Sequence, residues 1–142
     1  MAELKDYGPE PFVTNIEEIT EENPNFRTVL WTGKYFQITL MSIPVGGDIG
    51  LEIHPDTDQF LRIEQGRGRV QMGNSQDDLT LVDTEAEEDF AIVIPAEHWH
   101  NVTNIGDVPM KIYSIYAPPH HPHGAIHPTQ ADAEAAEAAE EH

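Results

Sequence analysis

The stretch 51-LEIHPDTDQFLRIEQGRG-68 decides how the chain is read. From Gln59 onward the residues alternate. Gln59, Leu61, Ile63 and Gln65 share one face, and Phe60, Arg62 and Glu64 share the other. This period of two predicts a strand over 59–65, with the Leu61/Ile63 face turned inward and Gln59 at its start. Just upstream, Gly50, Glu52 and His54 fall on one face, and Ile49, Leu51 and Ile53 on the other, which predicts a strand over 49–54. Its apolar face needs cover from another sheet or another subunit. Its polar face carries a carboxylate and an imidazole, which are costly to bury unless paired or bound to a cation. On these two residues alone, a Glu52–His54 hydrogen bond and a cation site both stand.

Working outward, short segments rich in β-branched and aromatic residues recur between Gly, Pro, Asn and Asp. Strands are expected near 27–32, 35–43, 49–54, 59–65, 68–72, 79–82, 90–94, 100–104 and 110–116. Turn signals separate them at Gly33-Lys34, Gly46-Gly47-Asp48, Gly66-Arg67-Gly68, Gly73-Asn74-Ser75 and Gly106-Asp107. Strands at this spacing predict an all-β fold, an antiparallel sandwich or small β-barrel.

Residues 1–26 read as an irregular arm and a short helix over 15-NIEEITEE-22. A capping box at Thr14-Asn15-Ile16-Glu17 opens that helix, and Asn23-Pro24-Asn25 stops it. Residues 118–142 form a His/Pro-rich segment, 118-PPHHPHGAIH-127, followed by an Ala/Glu-rich tail. Thr129 and Asp132 give the tail a helical start. With alanine as its only apolar residue type, the tail is expected to be a solvated appendage. The four histidines 120, 121, 123 and 127 are read as a surface loop and are not assigned to the main site.

The 142 residues suffice for one core, and no run of apolar residues is long enough to span a membrane. Cysteine is absent, which removes disulfides and thiolate ligands. Twenty-six acidic against seven basic residues leave a net charge of −19, which repels nucleic acid and anionic membranes. The opening MAELKDYGPEPF shows no signal-peptide pattern, so a cytoplasmic location is expected. An anionic substrate needs a local positive centre. Arg62 points away from the interior and Arg67 lies in a turn, so a metal is the expected source of that charge.

A second stretch, 89-DFAIVIPAEHWHNVTN-104, ends an apolar strand at Pro95 and then sets His98 and His100 on one face. Imidazoles and carboxylates are the usual ligands of Fe, Mn, Co, Ni and Zn. Taken together, the two stretches resemble the cupin family, whose motifs are G-x5-H-x-H-x(3,4)-E-x6-G and G-x5-P-x-G-x2-H-x3-N. The first is matched from Glu52-Ile53-His54 through Gln59 to Gly66, and the second from Asp89 through Pro95-Ala96-Glu97 and His100 to Asn104. Glu52 replaces a histidine, Gln59 replaces the glutamate, and Glu97 stands where glycine is usual.

The resemblance covers about residues 27–117 and implies an antiparallel jelly-roll β-barrel. Carried over by position, its metal set is Glu52, His54, Gln59 and His100. These would hold one divalent transition metal ion per chain, Zn, Mn, Fe, Ni or Co. Two imidazoles and one carboxylate are kept, so the exchange at 52 and 59 reads as compensatory. Asp58 is a second candidate for the position of Gln59, but it would turn Phe60, Arg62 and Glu64 inward.

The resemblance further implies a small-molecule ligand and a homodimer. The activity it suggests is isomerase or lyase chemistry on a sugar-like or carbonyl/carboxylate compound. A metal-dependent dioxygenase and a non-catalytic binder or sensor are the alternatives. His98 and Tyr116 are the candidate catalytic groups. Trp99 is expected in the wall or an interface, and Phe36 and Met41 in the core.

Overall fold

β3 (Asp58–Gln65) buries Gln59, Leu61 and Ile63 on one face, as its alternation requires. It pairs antiparallel with β6 (Ala91–Ile94) on one side and with β8 (Met110–Ala117) on the other. The computed structural model describes residues 3–140. Beyond β8 the sheet continues through β2 (Gln37–Ile43) and β1 (Arg27–Thr32) to the two-residue β9 (Ile126–His127). A second sheet orders β5 (Val82–Glu87), β4 (Arg67–Gly73) and β7 (Trp99–Asn104). Between the sheets lies the main core, which includes Met41, Ile43, Leu61, Ile63, Val70, Val102, Met110 and Ile112. The result is an antiparallel β-barrel of two packed sheets with a short helix at each end.

The outer face of the six-stranded sheet is also covered. Leu30 and Leu40 meet Ile19 of α1 (Ile16–Glu22), with Leu4, Tyr7, Phe12 and Tyr113 packed around them. This double burial explains why β1 is buried without alternation from Arg27 to Leu30. Helix α1 is capped by Asn15, whose side chain accepts from the Glu18 N–H at 3.1 Å, so the cap falls one residue after the Thr14 start expected for the capping box.

Several expectations are corrected. Residues 49–54 form no strand. They touch the sheet through isolated bridges, Asp48 to Thr103 and Glu52 to His100, because Gly50 takes a φ of +95° and breaks the ladder. The apolar face expected there is divided: Ile49 is buried in the chain's own core, while Leu51 is exposed. The strand expected at 79–82 forms instead at 82–87, where only Ala86 is fully buried. Phe36 lies against Trp31 at the surface rather than in the core.

The tail is not an appendage. Helix α2 (Gln130–Glu140) seats Ala133 in the main core and binds Arg27 through Glu137. Thr129 and Asp132 bond reciprocally at its start. The His/Pro-rich segment is likewise held down. The Gln37 side chain accepts from the N–H groups of His120 and His121 and donates to the His121 carbonyl. His121 and His127 are buried.

The second motif shows its purpose in the backbone. Asn104 donates to the carbonyls of Ile43 and Val108 and accepts from Gly106 N–H, closing the end of the barrel. Asp89 and Glu97, at the motif's two glycine-like positions, have φ of 71° and 68°. That left-handed conformation costs a non-glycine residue about 1–2 kcal/mol. Glu97→Gly is therefore expected to hold stability constant or raise it by up to about 1 kcal/mol, with added chain entropy offsetting part of the relief. Glu97→Val should lower it by about 1–2 kcal/mol. Urea unfolding checks both, and a clear loss in the glycine variant would contradict the assignment of strain.

Candidate metal centre

The irregular segment 49–54 is fastened to β7 by two reciprocal backbone hydrogen bonds. Glu52 N–H reaches the His100 carbonyl at 3.1 Å, and His100 N–H reaches the Glu52 carbonyl at 2.9 Å. Glu97 N–H then donates to the His54 carbonyl at 2.9 Å. These ties set Glu52, His54 and His100 beside one another at one end of the barrel. The His54 and His100 rings lie 5.2 Å apart, and His54 Nε2 lies 3.7 Å from Glu52 Oε2.

A cavity of about 540 Å³ opens there. Its walls include Arg27, Glu52, His54, Trp99, His120 and Glu137. Ligand atoms of Glu52, His54 and His120 all lie within 4.8 Å of one another. His120 thus comes to the site from the segment read as a surface loop, and its ring is 4.3 Å from that of His54. Tyr116 is fully buried behind it, edge-on to His54 and stacked at 5.7 Å on His120.

The other expected groups are placed as follows. His100 is buried, and its Nδ1 bonds the His98 carbonyl at 3.0 Å. That bond makes Nδ1 the protonated nitrogen and leaves the lone pair on Nε2. Gln59 donates from Nε2 to Ser114 Oγ at 2.9 Å, which frees Oε1 as an acceptor. Asp58 is exposed and caps the 95–98 turn through Ala96 N–H. The His98 side chain lines a separate apolar cleft with Val70, Met72, Phe90 and Ile92. Arg27 was missed altogether. It stands in 26-FRTVL-30, where nothing in the pattern marks its side chain as buried.

Burial governs the electrostatics. It pushes Glu52 up to about 7, against the pull of Arg27 and with repulsion from Glu137. It drives His54 down to about 3, helped by His120, His100 and Arg27. It also lowers His100, partly offset by the His98 carbonyl bond, and lowers His121, where Arg27 adds to the effect. The same desolvation raises the Tyr116 phenol, which stays protonated. The imidazoles are thus neutral at ordinary pH, the form that binds metals.

These shifts fix the pH dependence of the metal-free fold. His54, His100 and His121 take up protons on unfolding below their ordinary 6.5. Glu52 opposes them, since it is protonated in the fold below about 7 and releases its proton on unfolding above 4.5. Between 6.5 and 4.5 His54 and His121 take up about two protons on unfolding and Glu52 gives up about one, so their joint contribution to stability falls by about 1.4 kcal/mol per unit as the pH falls, and His100 adds in the same direction. His121→Gln removes one of the imidazoles and is expected to flatten the slope by about 1.4 kcal/mol per unit. Urea unfolding across that window measures it, and an unchanged slope in the variant would contradict the assignment.

Similarity to known proteins identifies the family. The family described as Cupin domain matches residues 39–116. The uncharacterized protein YrkC of Bacillus subtilis is 63% identical over 134 residues, covering 94% of this chain and 72% of its own length. An uncharacterized protein of Acanthamoeba polyphaga mimivirus is 40% identical over 116 residues, covering 81% of this chain and 70% of its own. The crystal structure of BH2720 from Bacillus halodurans superposes with a TM-score of 0.91 at 61% identity, covering 92% of this chain and 98% of that one. The chain belongs to the cupin family.

Proposed function

We propose that the cavity holds one divalent transition metal ion, with Glu52, His54, Gln59 and His100 as the holding residues. The chain then acts on a small carbonyl or carboxylate compound by isomerase- or lyase-type chemistry. One observation carries the reading. His54 Nε2, His100 Nε2 and Gln59 Oε1 are all buried without a hydrogen-bond partner. An orphaned buried polar atom costs about 1–3 kcal/mol, and three of them in the residue set matched to the motifs call for a common partner. A cation satisfies lone pairs without needing a proton, and this N, N, O, O donor set suits Mn, Fe, Co, Ni or Zn. When bound, such an ion supplies Lewis-acid polarisation of a carbonyl or carboxylate.

The chain's own residues position and protect that chemistry. The His98 carbonyl fixes the His100 ring, and Ser114 fixes the Gln59 amide. His120 closes the site from outside, on a segment clamped by Gln37. Burial keeps the Tyr116 hydroxyl protonated next to the His54 ring. It is the candidate to hold a proton near a substrate oxygen. The His98 imidazole faces the other cleft and has no part here beyond its backbone.

Glu52, His54 and His100 also make up the two-histidine, one-carboxylate set used by oxygen-activating sites. That supports a dioxygenase as the second reading.

Elemental analysis of tag-free protein is expected to find about one ion per chain, with His100→Ala and Glu52→Gln each reducing occupancy at least about tenfold while the β-sheet circular dichroism is kept. Full occupancy in either variant would sink the ligand set. With the metal-loaded chain, solvent deuterium entering product selects the isomerase reading, and oxygen uptake selects the second.

A further inference from the structure

Among the described residues, Arg27 is the only lysine or arginine that is fully buried. Its side chain is 2% exposed and lines the same cavity as Glu52 and His54. Its polar compensation is meagre, beyond a cation–π contact with the Phe26 ring at 5.5 Å. Nη1 meets a single oxygen of Glu137 at 3.2 Å, and Nε is buried with no partner. A guanidinium is a planar fork of five donors that grips a carboxylate best through two parallel bonds. Glu137 does not supply that grip. Its own side chain is 37% exposed, drawn half into water by its position on α2.

Helix α2 is lightly held over this pocket. Gln130, Ala133, Glu134 and Glu137 form one wall of the cavity. Among the described residues, Ala133 is the only one of the helix that is fully buried, and Gln130 adds one hydrogen bond to Asp48 at 3.1 Å. Elements with so little buried apolar contact open at low free-energy cost.

We propose that Arg27 is the residue that recognises a ligand carboxylate in this cavity, and that Glu137 is an internal stand-in that the ligand displaces, so that α2 acts as a strap released on binding. The exchange is balanced in charge. Arg27 passes from a poorly formed ion pair to a bidentate one, and Glu137 passes from half-hydrated to hydrated. The class is a carboxylate rather than a phosphate for two reasons. The group already resting on the guanidinium is a carboxylate, and a lone guanidinium fork engages both oxygens of a carboxylate while leaving the remaining oxygens of a phosphate without a donor. The assignment deepens the metal reading by giving the ligand its second anchor, with the carboxylate on Arg27 and the remainder toward Glu52 and His54.

Calorimetric titration of malonate, malonamide and inorganic phosphate into the metal-free and the Zn(II)-loaded chain tests this, paired with hydrogen exchange over residues 130–140. Malonate is expected to bind and to speed exchange in α2, whereas malonamide binds neither form. Glu137→Gln should tighten malonate by about tenfold, since the competitor is gone. Glu134→Gln makes the same change of charge in the same cavity without touching Arg27, and should shift affinity by less than about threefold. Arg27→Lys keeps the charge, loses the fork, and should weaken malonate at least about tenfold with metal content unchanged.

Equal effects of the two glutamate variants, added protection of α2 on binding, tighter binding of phosphate, or no malonate binding even in Glu137→Gln would each overturn the proposal. A chain that loads no zinc yet shows the Arg27 and Glu137 effects retains it and defeats only the metal reading.

Discussion

Two backbone hydrogen bonds between Glu52 and His100 organise this molecule's functional end. They join a segment that cannot form a strand to one that does, and they do so at the residues whose side chains matter. In an antiparallel bridge the paired residues project to the same side, so the Glu52 carboxylate and the His100 imidazole lie together without any further device. His54 follows two residues later and is tied back by Glu97 N–H. Without that bridge, the first motif would be a glycine-rich loop carrying a carboxylate and an imidazole with nothing to aim them.

The same constraint explains which parts of the fold were legible in the sequence. Strands such as 59–65 and 100–104 have one face in the core, and the period of two reports that directly. The segment 49–54 shows the same period because Ile49 enters the core while Glu52 and His54 enter the cavity. Periodicity records which face is apolar; it does not record whether the backbone pairs, and Gly50 decides that. Strand β5 was misplaced for the opposite reason. Five of its six residues are exposed or half-buried, so its apolar signal is weaker than that of Leu79 and Leu81 beside it. Helix α2 was placed correctly but its docking was not, because a single alanine methyl anchors it. Small size is what allows the helix to sit close, and small size leaves no mark in an Ala-rich sequence.

At the site, motif spacing identified Glu52, His54, Gln59 and His100 as candidates, since that information is local to two short stretches. Arg27 and His120 were beyond such reading. His120 reaches the pocket because Gln37, far away in sequence, clamps the backbone at 120–121. Arg27 is buried because a helix more than a hundred residues later folds across it and brings a carboxylate. A charge is buried only by tertiary structure, so a run such as 26-FRTVL-30 cannot announce it.

That buried charge alters what the composition implies. A surface of net charge −19 disfavours anions at a distance, but screening confines that field to roughly 8–10 Å in ordinary salt. Inside the cavity the relevant charges are few and close. Arg27 is positive and meets Glu137. His54 and His100 are neutral, and burial pushes Glu52 toward its protonated form. A desolvated guanidinium there interacts far more strongly than any surface lysine could, because little water intervenes. The acidic surface therefore acts on the rate at which an anion arrives, and Arg27 acts on how long it stays. A metal at Glu52 and His54 would stand beside that guanidinium as a second positive centre. Two such centres in one cavity select a ligand by the spacing between its anionic and its metal-binding groups, a discrimination that neither could make alone.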